Sequence, residues 1–411
     1  MTKANEVIEH LFRHESGHII SRLSARYGML HLSEIEDAVS ESLVRAMKTW
    51  SVIFPNQPAA WLYSVASRIV IDTLRRKQLY SEKIIPEYKV QSLDDADQED
   101  KYATIKLMLW CVHPSLNTQD QLGLILQLVS GFSIKEIGSA LLVNEEKLKK
   151  RLQRARAKLK AIEGELVLPD INNVKDRYPT LRSALYLGFN EGYYSIHHEN
   201  VLREDLIYES LRLCKLLCDT PHSDLGVSQA LMSLMLYHTS RIPSRRSADN
   251  SLILFEHQDR SLWDSKMIRL ASDYMEQAMY SEYNTPYHIE AVIAGIHTQT
   301  QNFEDTDWGT IGKLYSKLFT VTPNPMIELN FIYALLMAGD LQKSKEFFKK
   351  SNPFNFGVHN YLYHSVYAMY FDKINDQKSR KFQLWNAIEN APNKAIRNVL
   401  RNRLEGITQG D

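Results

Sequence analysis

Apolar residues recur at helical spacing along almost the whole 411-residue chain, and only 16 glycines and 13 prolines interrupt them. A period near 3.6 residues lines one face of a helix, whereas a half-buried strand alternates with a period of two. No stretch alternates clearly, so the pattern predicts an all-α fold. Breaks divide it into segments: 1–80, an acidic linker over 81–101, a compact block over 102–166, a helical extension over 167–284, and helix pairs of roughly repeat length over 285–411. Its acidic character is read over 87–100, from Glu87, Asp94, Asp95, Asp97, Glu99 and Asp100, opposed there only by Lys89. The second break is Leu168-Pro169-Asp170-Ile171-Asn172-Asn173.

Charge and cysteine content exclude several function classes. Lysine and arginine total 49 and so do aspartate and glutamate. A neutral chain is no generic polyanion binder, and any nucleic-acid surface must be local. Cys111, Cys214 and Cys218 do not show zinc-site spacing, and Cys214 and Cys218 at i, i+4 on an apolar helix read as packing. Three cysteines make no disulfide framework and suit a reducing compartment. The start, Met-Thr-Lys-Ala-Asn-Glu, lacks an apolar signal core. No apolar run approaches the ~20 residues needed to span a bilayer. A soluble cytoplasmic protein without a membrane partner is expected. There is no nucleophile elbow, phosphate-cradling glycine loop or metal-ligand cluster, so neither catalysis nor a cofactor is expected.

The sharpest local signal covers residues 118–160. Thr118 with Gln121 is expected to cap a helix ending at Gly131. Ser133 with Glu136 forms a second capping box, for the short helix Ile134–Leu142. Val143-Asn144 makes the turn, and Asn144 can cap the next helix. Between 145 and 160 that helix holds eight basic residues against two acidic ones, a local charge of +6. Its apolar face is narrow: Leu148, Leu152, Ala155 and Leu159. Short helix, tight turn and basic helix is the arrangement that lays a recognition helix in the major groove. Asn144, Glu146, Lys147, Lys149, Lys150, Arg151 and Arg154 are the expected DNA contacts, cations on phosphates and side chains near the helix start on base edges. The alternative is a solvated basic helix on a bundle surface.

Earlier in the chain, Ser33-Glu34-Ile35-Glu36 reads as a capping box opening a helix to about Trp50, and Pro58 starts another running to about Lys77. Phe54, Asn56 and Trp61 lie in or beside the loop between them, and Arg68, Arg75, Arg76 and Lys77 follow. Aromatics beside cations suit unstacked single-stranded bases. The competing reading makes Trp61 core and the basic run a helix C-terminus. The matching residues are Asp37-Ala38 with Glu41 and Ala46, Pro58-Ala59-Ala60-Trp61-Leu62, Asp72 and Leu74-Arg75-Arg76, then Gly131-Phe132-Ser133-Ile134-Lys135-Glu136-Ile137 and Arg151 to Leu159. On them the chain resembles the extracytoplasmic-function sigma factors of RNA polymerase, which join a region-2 domain to a region-4 helix-turn-helix. The resemblance implies that the 34–50 helix docks on polymerase, with Glu34, Asp37, Glu41 and Arg45 as contacts. It implies that 51–77 opens and reads the −10 element and that 145–160 reads the −35 element. The implied partners are core RNA polymerase, through its β′ and β subunits, and promoter DNA. Ser40 and Leu43 stand where the family often has Gln and Phe.

The remaining 240 or so residues resemble the C-terminal extension of the group that carries a tetratricopeptide-like domain. The matching stretches are Leu185–Tyr193, Glu256–Asp264, Glu304–Trp308 and Pro325–Asn330. Met337-Ala338-Gly339-Asp340-Leu341 replaces a glycine-rich turn common in that group. Asn190, Glu191, Tyr193, Asp259, Arg260, Trp263, Asp307, Trp308, Glu328 and Asn330 are the interface candidates. They read either as buried pairs that fix helix crossings, such as a bidentate Asp–Arg, or as the lining of a groove for a ligand or the sigma core. The resemblance implies regulation in cis, by intramolecular contact between extension and sigma domains. The alternative is a helical-repeat scaffold whose DNA-binding module does not recruit polymerase.

Overall fold

Helices α1 (Lys3–Tyr27) and α2 (Leu32–Thr49) are separated by Gly28, whose φ of 87° lies in the region that favours glycine. The computed structural model describes residues 3–50, 53–80, 96–141, 143–162, 174–193, 202–222, 224–245, 253–280 and 285–406. Among these, every regular element is helical, as the periodicity requires. Contacts divide the chain into two units, Met1–Gly188 with Asp219–Ser223, and Phe189–Cys218 with Asp224–Asp411.

The first unit opens with α1, α2 and α3 (Pro58–Tyr80) packed on one another. Leu23, Ile35, Ala38, Val39, Leu62, Ala66 and Val70 are almost fully buried, and the Tyr27 hydroxyl meets Ser67 Oγ at 3.0 Å. Next come α4 (Ala96–Cys111), α5 (Thr118–Leu128), α6 (Ile134–Leu141) and α7 (Glu145–Ile162). α4 packs against α1 through a buried second half that includes Ile105, Met108 and Trp110. α5 touches α1 so closely that a Cβ on Gly17 would lie 1.6 Å from the carbonyl oxygen of Val129.

α8 (Tyr178–Tyr193) carries the boundary between the units. In the second unit, α10 (Leu225–Thr239) is buried on nearly every face and packs with α9 (Glu204–Cys218), α11 (Ser265–Met279) and α12 (Pro286–Ile296). α13 (Trp308–Val321), α14 (Pro325–Met337), α15 (Leu341–Lys350), α16 (Asn360–Lys373), α17 (Gln377–Glu389) and α18 (Lys394–Glu405) follow, each packing mainly on its chain neighbours. Such neighbour packing makes the core a string of clusters. One joins Ile289, Trp308 and Ile311, a second Leu336, Phe348 and Tyr363, a third Tyr361, Ala387 and Leu400. Asx side chains start most of these helices: Asp264, Asp307, Asn324, Asp340, Asp376 and Asn393 each accept from a first-turn amide.

Three local expectations need correction. α2 starts at Leu32 with His31 as its N-cap, so Ser33 and Glu36 form no capping box; Glu36 is held by Arg156 instead. Asn117, not Thr118, caps α5 by accepting from the Asp120 amide at 2.9 Å, and Gln121 turns inward to donate to the carbonyls of His113 and Leu116. α4 begins at Ala96, so the end of the acidic stretch belongs to a helix rather than a linker. Acidic residues are favoured in a first helical turn, where orphan amides leave partial positive charge. Most of the expected linker and the Leu168–Asn173 break lie outside the described residues.

Candidate nucleic-acid and polymerase interfaces

The turn between α6 and α7 is built by the expected caps. Ser133 N and Oγ both donate to Glu136 Oε2 at 2.8 Å, and the Glu136 amide donates back to Ser133 Oγ at 3.3 Å. Asn144 Oδ1 accepts from the Glu146 amide at 2.9 Å, which fixes where α7 starts. Gly138 lies where a Cβ would meet the Val143 carbonyl oxygen at 2.7 Å, so only glycine lets the turn close this tightly. Leu148, Leu152, Ala155 and Leu159 anchor α7, each no more than 3% exposed.

The basic residues of α7 fall into two sets. Lys147, Lys149, Lys150 and Arg154 are exposed over the first ten residues of the helix, with Asn144 and Glu146 exposed at its start. Arg151 is not part of that set. Its Nη2 and Nε reach Asp120 Oδ1 at 2.7 and 2.8 Å, so its charge is spent on clamping α7 to α5. Arg156 likewise turns inward, its Nη1 and Nη2 on the two Glu36 oxygens at 2.5 and 2.9 Å and Nη2 on Gln127 at 2.8 Å. That fork joins α7 to α2 across 120 residues of sequence. Sequence reading missed Glu36, because its partner lies so far along the chain.

Around the α2–α3 loop, Trp50 is 4% exposed and meets Phe54 and Trp61 edge-on, at centroid distances of 5.2 and 5.3 Å. Phe54 and Asn56 are exposed and Trp61 is half-buried. Trp50, Pro55 and Trp61 line a surface recess with Lys48, Thr49 and Ile53. A partly walled aromatic recess offers a stacking face to a flat ring. Arg68, Arg75 and Arg76 are exposed on α3, and Arg76 Nε donates to the Asp72 carbonyl at 3.2 Å. Lys77 bonds to Glu34, so each of these two residues meets the other before any outside partner. Along α2, Asp37, Glu41, Val44, Arg45 and Lys48 form an exposed stripe, with Arg45 paired to Glu41 at 2.5 Å.

The C-terminal candidates also separate. Asp259 and Asp307 are caps: Asp259 Oδ1 accepts from Ser261 and Asp307 from the Thr310 amide, and these bonds hold both carboxyls below their usual range. No Asp259–Arg260 pair forms. Arg260 donates instead to the His297 and Thr300 carbonyls at 2.8 and 3.1 Å and to Thr306 Oγ1 at 3.0 Å, stapling a loop. Trp263 donates from Nε1 to Ser244 Oγ at 2.8 Å. Asn190 and Glu191 are half-buried on α8, and burial raises the carboxyls of Glu191 and Glu328. Tyr193, Trp308 and Asn330 line one cavity of the second unit.

Comparison with known proteins follows this division. Residues 11–80 match Sigma-70 region 2, and residues 177–279 match a family of unknown function (DUF6596). The chain is 33% identical over 310 residues to uncharacterized protein R00370 of Rhizobium meliloti (strain 1021), covering 73% of each chain. No solved structure matches. The region-2 match makes this a sigma factor, a protein of transcription initiation. The chain belongs to the extracytoplasmic-function-like sigma factors that carry a C-terminal extension, here of the DUF6596 type. Among the described residues no helix is long and apolar enough to cross a membrane, and no group of three or more His, Cys, Asp or Glu could hold a metal ion.

Proposed function

We propose that this sigma factor binds core RNA polymerase through the α2 stripe and reads promoter DNA at two places. The exposed start of α7, with Asn144, Glu146, Lys147, Lys149, Lys150 and Arg154, reads the −35 element; the recess at Trp50 and Trp61, with Arg68, Arg75 and Arg76, takes the −10 element. The observation that carries this reading is the cationic helix start, fixed by Asn144 and left exposed while Arg151 and Arg156 turn inward. The cytoplasm follows as its location, since polymerase and promoter are there.

The same reading requires movement. Elements centred near −10 and −35 are about 25 base pairs apart, or ~85 Å at ~3.4 Å per base pair. An α7 whose Arg156 holds Glu36 on α2 cannot at once stand that far from α3, which packs on α2. The fork is a closed state that opens for promoter binding, and the extension regulates in cis which state prevails.

Run-off transcription with purified core polymerase tests the assignment. Lys149→Glu with Arg154→Glu should lower promoter-directed transcript by about tenfold or more, because lost phosphate contacts weaken DNA binding steeply. The melting curve should not move, since neither side chain is buried. Asp37→Lys with Glu41→Lys should abolish co-elution with core enzyme. Full transcript from the first variant would remove α7 from promoter recognition, and full co-elution of the second would remove α2 from polymerase binding.

A further inference from the structure

The second unit holds a partly open cavity of about 430 Å³ that none of the sigma assignments uses. Its size falls within the ~300–1,000 Å³ of small-molecule sites. Its walls come from α8, α10, α12, α13 and α14 and from the segment around Phe255.

Two arginines and one glutamate, Glu290, are the permanently charged residues lining it. The Arg241 guanidinium carbon lies over the Phe255 ring, 3.9 Å from its centroid, and that of Arg245 lies over the Tyr193 ring at 3.9 Å. Arg245 also donates to the Tyr193 carbonyl at 2.9 Å, and Arg241 to Gln258 Oε1 at 3.2 Å. A stacked guanidinium is fixed in orientation and presents its N–H donors in its own plane, the geometry that grips a carboxylate or phosphate.

Beyond the arginines stand two imidazoles, His238 and His297, and the Trp308 indole. His238 Nδ1, His297 Nδ1 and Trp308 Nε1 are buried with no hydrogen-bond partner among the described residues. Buried polar atoms are almost always paired, so three unpaired ones in the lining of one cavity call for an explanation. Burial, then Arg241 and Arg245, push His238 down to about 3; burial, then Arg241 and Arg260, do the same to His297. Both rings are therefore neutral at pH 7 and can each donate and accept, while the field they sense is positive. Leu234, Ile253, Ile293, Leu318 and Met326 complete an apolar wall.

We propose that this cavity is a binding site for a small organic anion, a carboxylate or phosphate on an aromatic or branched apolar body. Arg241 and Arg245 receive the anionic end, and the Phe255–His297–Trp308 side receives the body. His297 meets Phe255 and Trp308 edge-on at 4.8 and 5.3 Å, and Trp308 meets Tyr333 at 5.5 Å, so the body enters a preformed aromatic corner.

Calorimetric titration of the full chain tests this without polymerase or DNA, so its outcome is independent of the promoter assignment. The probes are 1-naphthoate, 1-naphthyl phosphate and the neutral 1-naphthamide. At least one anion should bind saturably at one site, with the amide about tenfold or more weaker, as loss of charge-assisted bonds requires. The stronger anion identifies the headgroup. Ala294 lines the cavity on α12, half-buried. Ala294→Trp should plug the site, and Arg241→Gln should weaken the anion but not the amide. Circular dichroism and the melting temperature, measured on both variants, exclude unfolding as the cause. No saturable binding of either anion, equal binding of the amide, or anion binding unchanged in both folded variants would overturn the proposal.

Discussion

Gly17 shows how little room single residues have in the first unit. α1 passes the Val129 carbonyl so closely that the smallest side chain has no space, and the obstacle is backbone. Gly17→Ala should destabilise the first unit by about 3 kcal/mol, the upper end of ordinary overpacking, read as a lowered urea midpoint in the full chain. Cysteines give a second residue-scale expectation. Cys111 and Cys214 are fully buried and Cys218 is half-buried, and desolvation pushes the Cys111 thiol far above its ordinary value. In native buffer iodoacetamide should label Cys218 first and leave Cys111 unmodified; peptide mass spectrometry showing Cys111 labelled as fast as Cys218 would contradict its burial. At this scale the sequence was a partial guide. It placed eight cations on α7, but not which of them meet acids 31 and 120 residues earlier in the chain. It placed Asp259 beside Arg260, but neighbours in a turn point to different partners, one to Ser261 and one to Thr300.

Some helix ends were legible, because a cap is a contact between residues two or three apart and leaves its signature locally. Ser133–Glu136 and Asn144 formed as their spacing indicated. Ser33–Glu36 has the same spacing and failed, since a tertiary guanidinium outbids a backbone amide for Glu36 and the Met29–His31 turn starts α2 two residues earlier. The two serines therefore make a matched test. Ser133→Ala should cost about 1 kcal/mol, whereas Ser33→Ala should stay within about 0.5 kcal/mol, both from denaturant unfolding. An equal loss at both positions would mean that Ser33 caps α2 in solution.

At the scale of the whole molecule, helical periodicity gave the fold class, all-α. The Pro169 region interrupts the helical pattern, yet contacts assign residues as far as Gly188 to the first unit. Arg177 donates to the Leu109 carbonyl at 3.2 Å and Tyr178 stacks on His222 at 4.5 Å, both within that unit. Periodicity registers where a helix stops, not which core its face joins. A chain ending at residue 168 should accordingly melt below one ending at residue 193, by differential scanning calorimetry. The Arg156–Glu36 fork carries a further consequence. If two partners, one on α2 and one on α7, each bind only with the fork broken, thermodynamic linkage ties them together although they never touch. Polymerase must then raise affinity for DNA by the same factor that DNA raises affinity for polymerase. Glu36→Gln should shrink that shared factor toward one, leaving two independent binding events where the intact protein has a cooperative pair.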